Sequence, residues 1–306
     1  MSAPDSGSPA VDMPDRAAAT DAFVAHRNLL FTVAYELLSS AADAEDVLQE
    51  TWLRWAGVDL AGVRDARAYL VRITARLSLN RLRTLARRRE SYVGPWLPEP
   101  LLTAPDVAED VALADSVSTA MLLVLETLTP TERAVFVLRE VFGLPYDEIA
   151  AAVDKSPAAV RQVASRARAH VEARRPRTTV SRAERDAVMD RFVAAAVGGD
   201  MQGLMDVLAP DVVLLTDGGG RKKAALRPIV GRDKVVRFLS ATGADAGVER
   251  ADVVLVNGAP ALRLWIAGEV DTVVGCLLEA GVVSALYAVR NPEKLRHLHT
   301  VVPLRR

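Results

Sequence analysis

The spacing of apolar positions changes along the chain and divides it into segments. From residue 21 to 94, and again from 116 to 176, apolar residues recur every three or four positions, as in amphipathic helices. From residue 185 to 306, two helical stretches are followed by Val- and Leu-rich runs of strand length, separated by Gly, Asn, Asp and Pro. We therefore predict a multidomain protein: a disordered tail at 1–20, two all-α domains joined by a linker at 95–115, and a final α+β domain.

The second helical segment contains two helix starts close together. Thr129 and Glu132 are spaced as a capping box around Pro130, and Ser156 before Pro157 begins another helix after a short turn. This last helix has valines and alanines on one side and hydrogen-bond donors on the other, which predicts a helix-turn-helix that reads a major groove. A solvated basic face is the alternative. The predicted DNA-binding side chains are Lys155, Arg161, Gln162, Ser165, Arg166 and Arg168.

A second basic surface is predicted on a helix in the first segment. Nine arginines and two acids lie between Arg64 and Gly94. Four of these arginines and Asn80 recur at steps of three or four residues and form a stripe on one side of the helix. Such a stripe is suited to contacts with DNA phosphates, which weaken as the salt concentration rises. The residues of this stripe are Arg72, Arg76, Asn80, Arg83 and Arg87.

An acidic segment precedes that helix and has the opposite charge. Such a face repels DNA, so we expect it to bind a protein. Trp52 and Trp55 lie on one side of the same helix; core packing is the favoured interpretation and an interface anchor is the alternative. The predicted partner-binding residues are Asp43, Glu45, Asp46, Leu48, Gln49 and Glu50.

These segments resemble two regions of extracytoplasmic-function (ECF) sigma factors, in the same order. The resemblance rests on residues 43–50, on the stretch that begins at Ala68, and on residues 144–150 with 156–161. It implies that the acidic segment binds the β′ clamp helices of core RNA polymerase, with a further contact at the β flap. It also implies that the basic helix reads the −10 element of promoter DNA and the helix-turn-helix reads the −35 element. The loop at 57–65 would accept a flipped −10 base, although it holds no aromatic residue.

The order of elements in the last segment is similar to that of SnoaL-like domains, which are α+β cones around a cavity. Three short motifs resemble the sigma subfamily in which a fused SnoaL-like domain regulates in place of a separate anti-sigma protein. Their residues are Trp96, Leu97, Pro98, Glu99 and Pro100 in the linker, Asp217, Gly218, Gly219 and Gly220 after a strand, and Asn291, Pro292, Glu293, Lys294 and Leu295 near residue 306.

We expect the last domain to pack against the linker and to fix the spacing of the two DNA-reading domains. The triple glycine is either a docking surface for the Trp96 segment or simply a hairpin loop. Lys222 and Lys223, beside it, would attract the acids of the linker.

Two other functions compete for the last domain. An enzyme would use Asp217, Asp271 or Tyr287 as acid or base, with His297 and His299 more simply interpreted as solvated. A sensor would bind a small-molecule ligand in the cone, with Trp265 among its lining residues. We predict no catalytic residues, no cofactor and no metal, because no candidate has a partner at a defensible spacing.

A single cysteine, Cys276, excludes an intrachain disulfide and fits a reducing, cytoplasmic setting. No apolar run reaches the length of a membrane span, so we expect no membrane contact.

Overall fold

The first helix begins inside the segment predicted as a disordered tail. The computed structural model describes residues 13–89, 91–175, 180–243 and 247–306, so positions 1–12 of that tail lie outside the described residues. Helix α1 spans Met13–Leu38. Ala19 is buried in it, and its carbonyl accepts a 2.8 Å hydrogen bond from Trp55 Nε1. The prediction that the first helical domain starts at residue 21 is therefore wrong. The residues before 21 include good helix formers, and the buried contact of Ala19 favours extension of the helix through them.

The first domain is completed by α2 (Ala41–Trp55) and α3 (Ala66–Arg89). Ser40 caps α2 by accepting a hydrogen bond from the backbone N–H of Asp43. Trp55 is fully buried, and Trp52 packs on Phe23 of α1 with ring centroids 5.3 Å apart. Core packing, the favoured interpretation of the two tryptophans, is therefore what the structure shows.

The second domain is a helix-turn-helix preceded by short helices. The predicted capping box at Thr129 is present. Asp154 adopts the left-handed conformation that ends one helix, and Ser156 caps the next. A π-helical turn (Val137–Val141) extends α7. The helices are α4 (Pro105–Glu109), α5 (Val111–Val117), α6 (Thr119–Glu126), α7 (Pro130–Phe136), α8 (Tyr146–Val153) and α9 (Pro157–Glu172).

Helices α4 and α5 lie in the segment that the sequence predicted as a linker. Val107, Leu113 and Val117 are buried in the core shared by the helical domains. The prediction of a linker over 95–115 is corrected at this point, because Pro and acidic residues mask a short apolar pattern that becomes buried only by tertiary contacts.

The third domain combines a six-stranded sheet with four helices among its described residues. Its sheet order is β2-β1-β6-β5-β4-β3, in which β1 and β6 are parallel and the other neighbours are antiparallel. The sequence analysis did not predict β2, which has only two residues. The elements are α10 (Arg182–Gly198), α11 (Met201–Val207), β1 (Leu208–Asp217), β2 (Ile229–Val230), α12 (Arg232–Gly243), β3 (Arg250–Val256), β4 (Ala259–Ile266), β5 (Glu269–Glu279), β6 (Val282–Val289) and α13 (Pro292–Leu295).

The two faces of this sheet have different partners. Alternate residues such as Val274 and Leu286 face the core formed with α10, α11 and α12. The opposite face carries Val273 and Tyr287, which belong to a separate cluster with Leu97 of the linker and Ala120 of α6. The second face therefore packs on the helical half of the chain.

The two helical domains also pack against each other. Helices α7 and α8 contact α3, and one continuous apolar core joins the domains. Leu304 enters this core from the last segment of the chain, where Val302 donates to the carbonyl of Leu102 at 2.8 Å.

Candidate functional site

The outer face of α9 is open to solvent. All six predicted −35 contacts are exposed, whereas Val160, Val163 and Ala167 of the same helix are buried. Arg161 lies over the Tyr146 ring at 5.5 Å, and Arg168 forms a 2.6 Å ion pair with Glu140. The side chains that could contact a duplex are thus presented together on one helix.

The basic stripe on α3 is similarly accessible. Arg72, Arg76, Asn80 and Arg83 are exposed. Arg87 lies in α3, but its side chain is outside the described residues. The neighbouring loop forms a 3-10 turn (Leu60–Gly62), in which the Asp59 side chain accepts a hydrogen bond from the backbone N–H of Ala61.

Carboxylates on α2 are engaged in ion pairs within the first domain. Arg81 of α3 contacts Asp43 at 2.6 Å and Asp46 at 3.0 Å. Glu45 pairs with Arg27, and Glu50 pairs with Arg54.

The prediction of Leu48 as a partner-binding residue of α2 is wrong. Leu48 is 2% exposed and lies on the core side of the helix with Val47, so it cannot present its side chain to a partner. Gln49, one position further, is exposed.

The three linker and tail motifs meet around one buried carboxylate. Asp217 Oδ2 accepts from Leu97 N at 2.9 Å and from Lys294 Nζ at 2.7 Å, while Oδ1 accepts from Tyr92 Oη at 2.7 Å. Lys294 also lies 4.1 Å from the Trp96 ring centroid. A buried charge needs such compensation, so these contacts fix the linker against the third domain.

The glycines after Asp217 allow the motifs to approach closely. A Cβ at Gly219 would lie 2.3 Å from Asn291 Nδ2, and one at Gly218 would lie 2.2 Å from the carbonyl of Lys222. Asn291 caps α13, and its side chain also donates to Tyr92 Oη at 2.9 Å. A Cβ at Gly220 would lie 3.3 Å from Val93 Cβ, so the glycines form a loop that approaches the chain just before the Trp96 segment.

Glu99 joins the linker to the first domain. Its Oε2 accepts from the backbone N–H of Ala41 at 2.8 Å at the start of α2, and Tyr35 Oη donates to its carbonyl at 2.6 Å. Burial raises the pKa of Glu99, while His297 and the α2 N–H groups act in the opposite direction. Pro98 and Pro100, on either side, are buried.

A hairpin tip that the sequence analysis did not single out enters the same junction. Asn257, at φ 53° between β3 and β4, is 1% exposed. Its Oδ1 accepts from Leu101 N at 2.8 Å, and its Nδ2 donates to Tyr35 Oη and to the carbonyl of Val117, each at 2.7 Å. One side chain therefore links all three domains. The Asn-Gly pair was a recognisable turn signal, but nothing local showed that the turn is buried.

Arg133 of α7 is a second such residue, and its guanidinium is almost fully buried. It donates to the carbonyl of Glu36 at 2.9 Å and to Ser39 Oγ at 2.5 Å, at the end of α1. Glu126 completes an ion pair with it. The arginine ties the helix-turn-helix to the first domain, although its position in a capped helix start gave no sign of this.

The residues considered for catalysis or sensing have other contacts. Asp271 pairs with Lys222 and Arg290; burial raises its pKa, but the hydrogen bonds from Lys222, Thr272 and Arg290 outweigh this and lower it. The expectation that Lys222 attracts the acids of the linker is therefore wrong, because Lys222 pairs with Asp271 instead. Trp265 is partly buried, and its ring packs against Arg250, Arg263 and His299. Tyr287, in contrast, lines a cavity.

Two exposed arginine-rich surfaces, one on a helix-turn-helix, together with an acidic helix define a DNA-binding transcription protein with a fused α+β domain. No described helix is long and apolar enough to cross a membrane.

Comparisons with known proteins give the family. Residues 22–88 match the Sigma-70 region 2 model, and residues 118–171 match the Sigma-70, region 4 model. The chain is 38% identical over 289 residues to the ECF RNA polymerase sigma factor SigJ of Mycobacterium tuberculosis, covering 89% of this chain and 91% of the relative. It is 32% identical over 278 residues to the probable ECF RNA polymerase sigma factor SigI of the same species, covering 90% and 93%.

The crystal structure of Mycobacterium tuberculosis SigJ superimposes with a TM-score of 0.71 at 34% identity, covering 90% of this chain and 97% of that one. The chain belongs to the ECF family of RNA polymerase sigma factors. The predicted fold class, two helical sigma domains followed by a SnoaL-like α+β domain, is confirmed.

Proposed function

We propose that this sigma factor is held closed by its own third domain and must open to span a promoter. Elements centred at −10 and −35 lie about 25 base pairs apart, or roughly 85 Å of duplex at about 3.4 Å per base pair. Here α3 packs directly on α7 and α8, and packed helices lie only about 10 Å apart. The two DNA-reading surfaces cannot reach both elements from this arrangement.

Three junction contacts support the role of the third domain in keeping the chain closed. Asp217 and Lys294 fix the linker, Asn257 joins all three domains, and Leu304 packs in the helical core. The contact from Arg133 to α1 acts directly between the two sigma domains. Regulation by the third domain then proceeds through binding and release rather than through catalysis.

In the open state we assign base and phosphate contacts at the −35 element to Lys155, Arg161, Gln162, Ser165, Arg166 and Arg168. Contacts at the −10 element are assigned to Arg72, Arg76, Asn80, Arg83 and Arg87. Their exposure supports this, since each described side chain is open to solvent. The domain bounds proposed are 13–94 for region 2, 105–176 for region 4 and 182–306 for the regulatory domain.

The acidic face of α2, carrying Asp43, Glu45, Asp46, Gln49 and Glu50, is assigned to the β′ clamp helices, and region 4 to the β flap. Polymerase would exchange the existing ion pairs of α2 for contacts of its own. The protein would act in the cytoplasm, where polymerase and promoter DNA are found.

Energy transfer between α3 and α9 tests the closed state in the full chain. Thr84 and Ala169 are exposed, so Thr84→Cys and Ala169→Cys accept dyes once Cys276→Ala removes the native thiol. We expect high transfer in the free protein and a large loss when core polymerase and a promoter carrying both elements are added. Run-off transcription by the labelled protein is the control for function.

Transfer that is low in the free protein, or unchanged in a transcribing complex, would contradict the closed state. Absence of polymerase binding and transcription would instead contradict the assigned polymerase contacts.

A further inference from the structure

A cavity of about 560 Å³ lies where the outer face of the sheet meets the second domain. Val273, Leu277 and Tyr287 form one wall, while Ser118 and Met121 of the α5–α6 region lie opposite. These strand residues belong to the sheet face that packs on the helical half, not to the face covered by α10, α11 and α12. The cavity therefore lies between domains and outside the interior of the SnoaL-like cone. Its volume is that of an ordinary small-molecule site.

The lining combines an apolar wall with three guanidinium groups and two carboxylates, those of Asp115 and Glu140. Glu140 is paired with Arg168 of α9. Arg175 is paired with Asp115, and Arg306 with Asp110. Arg185, half-buried on α10, forms no ion pair within the described part of the chain, and its buried Nε has no hydrogen-bond partner there. A buried donor of this kind favours an anionic acceptor.

Tyr287 adds a second polar group to the cavity. Its side chain is 8% exposed, and its hydroxyl makes no hydrogen bond to any residue described. Burial raises its pKa, so the hydroxyl remains protonated and can donate. Arg185 and Tyr287 line a cavity whose remaining wall from the sheet is apolar.

We propose that this interdomain cavity binds an amphipathic carboxylate, with the anionic group at Arg185 and the apolar body against the outer face of the sheet. Such a ligand would contact the regulatory domain and region 4 at once, so it would stabilise the closed state. Only this regulatory consequence rests on the proposed function; the binding itself does not.

Gly275 provides a variant that fills the cavity. It lines the cavity on β5, and a Cβ added there would meet no heavy atom within 4 Å. Gly275→Leu should therefore fold normally, since it also removes a glycine from a strand interior.

Arg185→Gln removes the cation and keeps a side chain of similar length. Arg182→Gln is its matched control, because Arg182 is on the same helix and is exposed beside Asp186.

The test is calorimetric titration of the free full-length chain with decanoate, and with decanol as the uncharged counterpart, below the micelle threshold. We expect decanoate to bind and to raise Tm by about 3 °C near saturation. Arg185→Gln should weaken binding by about tenfold, Gly275→Leu should abolish it, and Arg182→Gln should leave it unchanged.

No decanoate binding, or equal binding by a folded Gly275→Leu protein, would overturn the site. Equal binding of decanol and decanoate by the native chain would overturn the assignment to an anion. Because polymerase and DNA are absent, these outcomes are independent of the energy-transfer experiment.

Discussion

Asp217, Asn257 and Glu36 are buried polar residues at which separate domains meet. Asn257 is satisfied by groups at least 140 positions away in the sequence, and Asp217 by Tyr92, Leu97 and Lys294, which lie 125, 120 and 77 positions away. A buried polar group left without partners costs about 1–3 kcal/mol, so each makes docking strongly dependent on correct geometry. At this scale the sequence could indicate Asp217, through the motif around it, but not Asn257 or Glu36.

Glu36 predicts a pH dependence of stability. Burial raises its pKa to about 8, against the opposing effects of the Ser116 hydrogen bond and of Arg133 and Arg306. Its Oε1 accepts from Ser116, and its buried Oε2 has no partner among the residues of the described ranges. Between the ordinary carboxyl pKa and about 8, the folded chain keeps a proton that the unfolded chain has lost. The free energy of unfolding therefore falls as pH rises through this window.

Glu36→Gln should remove this fall in stability. We expect equal stability of variant and native chains near pH 5, and greater stability of the variant near pH 8 by on the order of 2 kcal/mol. Urea unfolding at the two pH values provides the measurement, with the exposed Glu45→Gln as the control. A variant that is less stable than the native chain at pH 8 would show that ionised Glu36 is needed in the fold.

The β3–β4 hairpin is the element that places Asn257 at the junction of the three domains. Val- and Leu-rich runs of strand length, separated by Gly, Asn, Asp and Pro, predicted the strands on either side of this turn. Local patterns predicted all the strands except β2, together with the capped helices of the helix-turn-helix. Which domain covers the second face of the sheet is decided by contacts between distant segments. For the same reason α4 and α5 were mistaken for linker.

Two glycines allow the docking of this hairpin to be tested separately from backbone strain. Gly258 and Gly268 flank β4 with φ of 74° and 75°. A Cβ at Gly258 would lie 2.8 Å from Ala114 Cβ, whereas one at Gly268 would meet no heavy atom within 4 Å.

Both alanine substitutions should therefore cost similar conformational strain, about 1 kcal/mol. Gly258→Ala should in addition separate the hairpin from α5. We expect faster hydrogen exchange in α5 and at Leu101 in Gly258→Ala only. Equal exchange in the two variants would indicate that the hairpin tip does not hold the junction.

In the whole molecule, the two surfaces proposed to read DNA are exposed, and in the proposed closed state they are too close together to act as a pair. The free chain should consequently bind a duplex that carries only a −35 element about as tightly as one that carries both elements at promoter spacing. Fluorescence anisotropy at fixed salt measures the two affinities, because phosphate contacts are strongly salt-dependent. Arg166→Gln should weaken both equally. Binding of the two-element duplex that is tighter by tenfold or more would mean that the free chain already spans a promoter.

The regulatory domain is covalently joined to the helices that it restrains, and this changes the concentration dependence of control. When an inhibitor is a separate protein, excess copies of its target remain free, and dilution makes the complex dissociate. Here the ratio of inhibitor to target is one in every molecule, and the local concentration of one for the other is set by the chain. The fraction of free protein that is open therefore stays constant as expression rises. Overproduction alone does not relieve the restraint, and a change in activity requires a molecule that favours one of the two states.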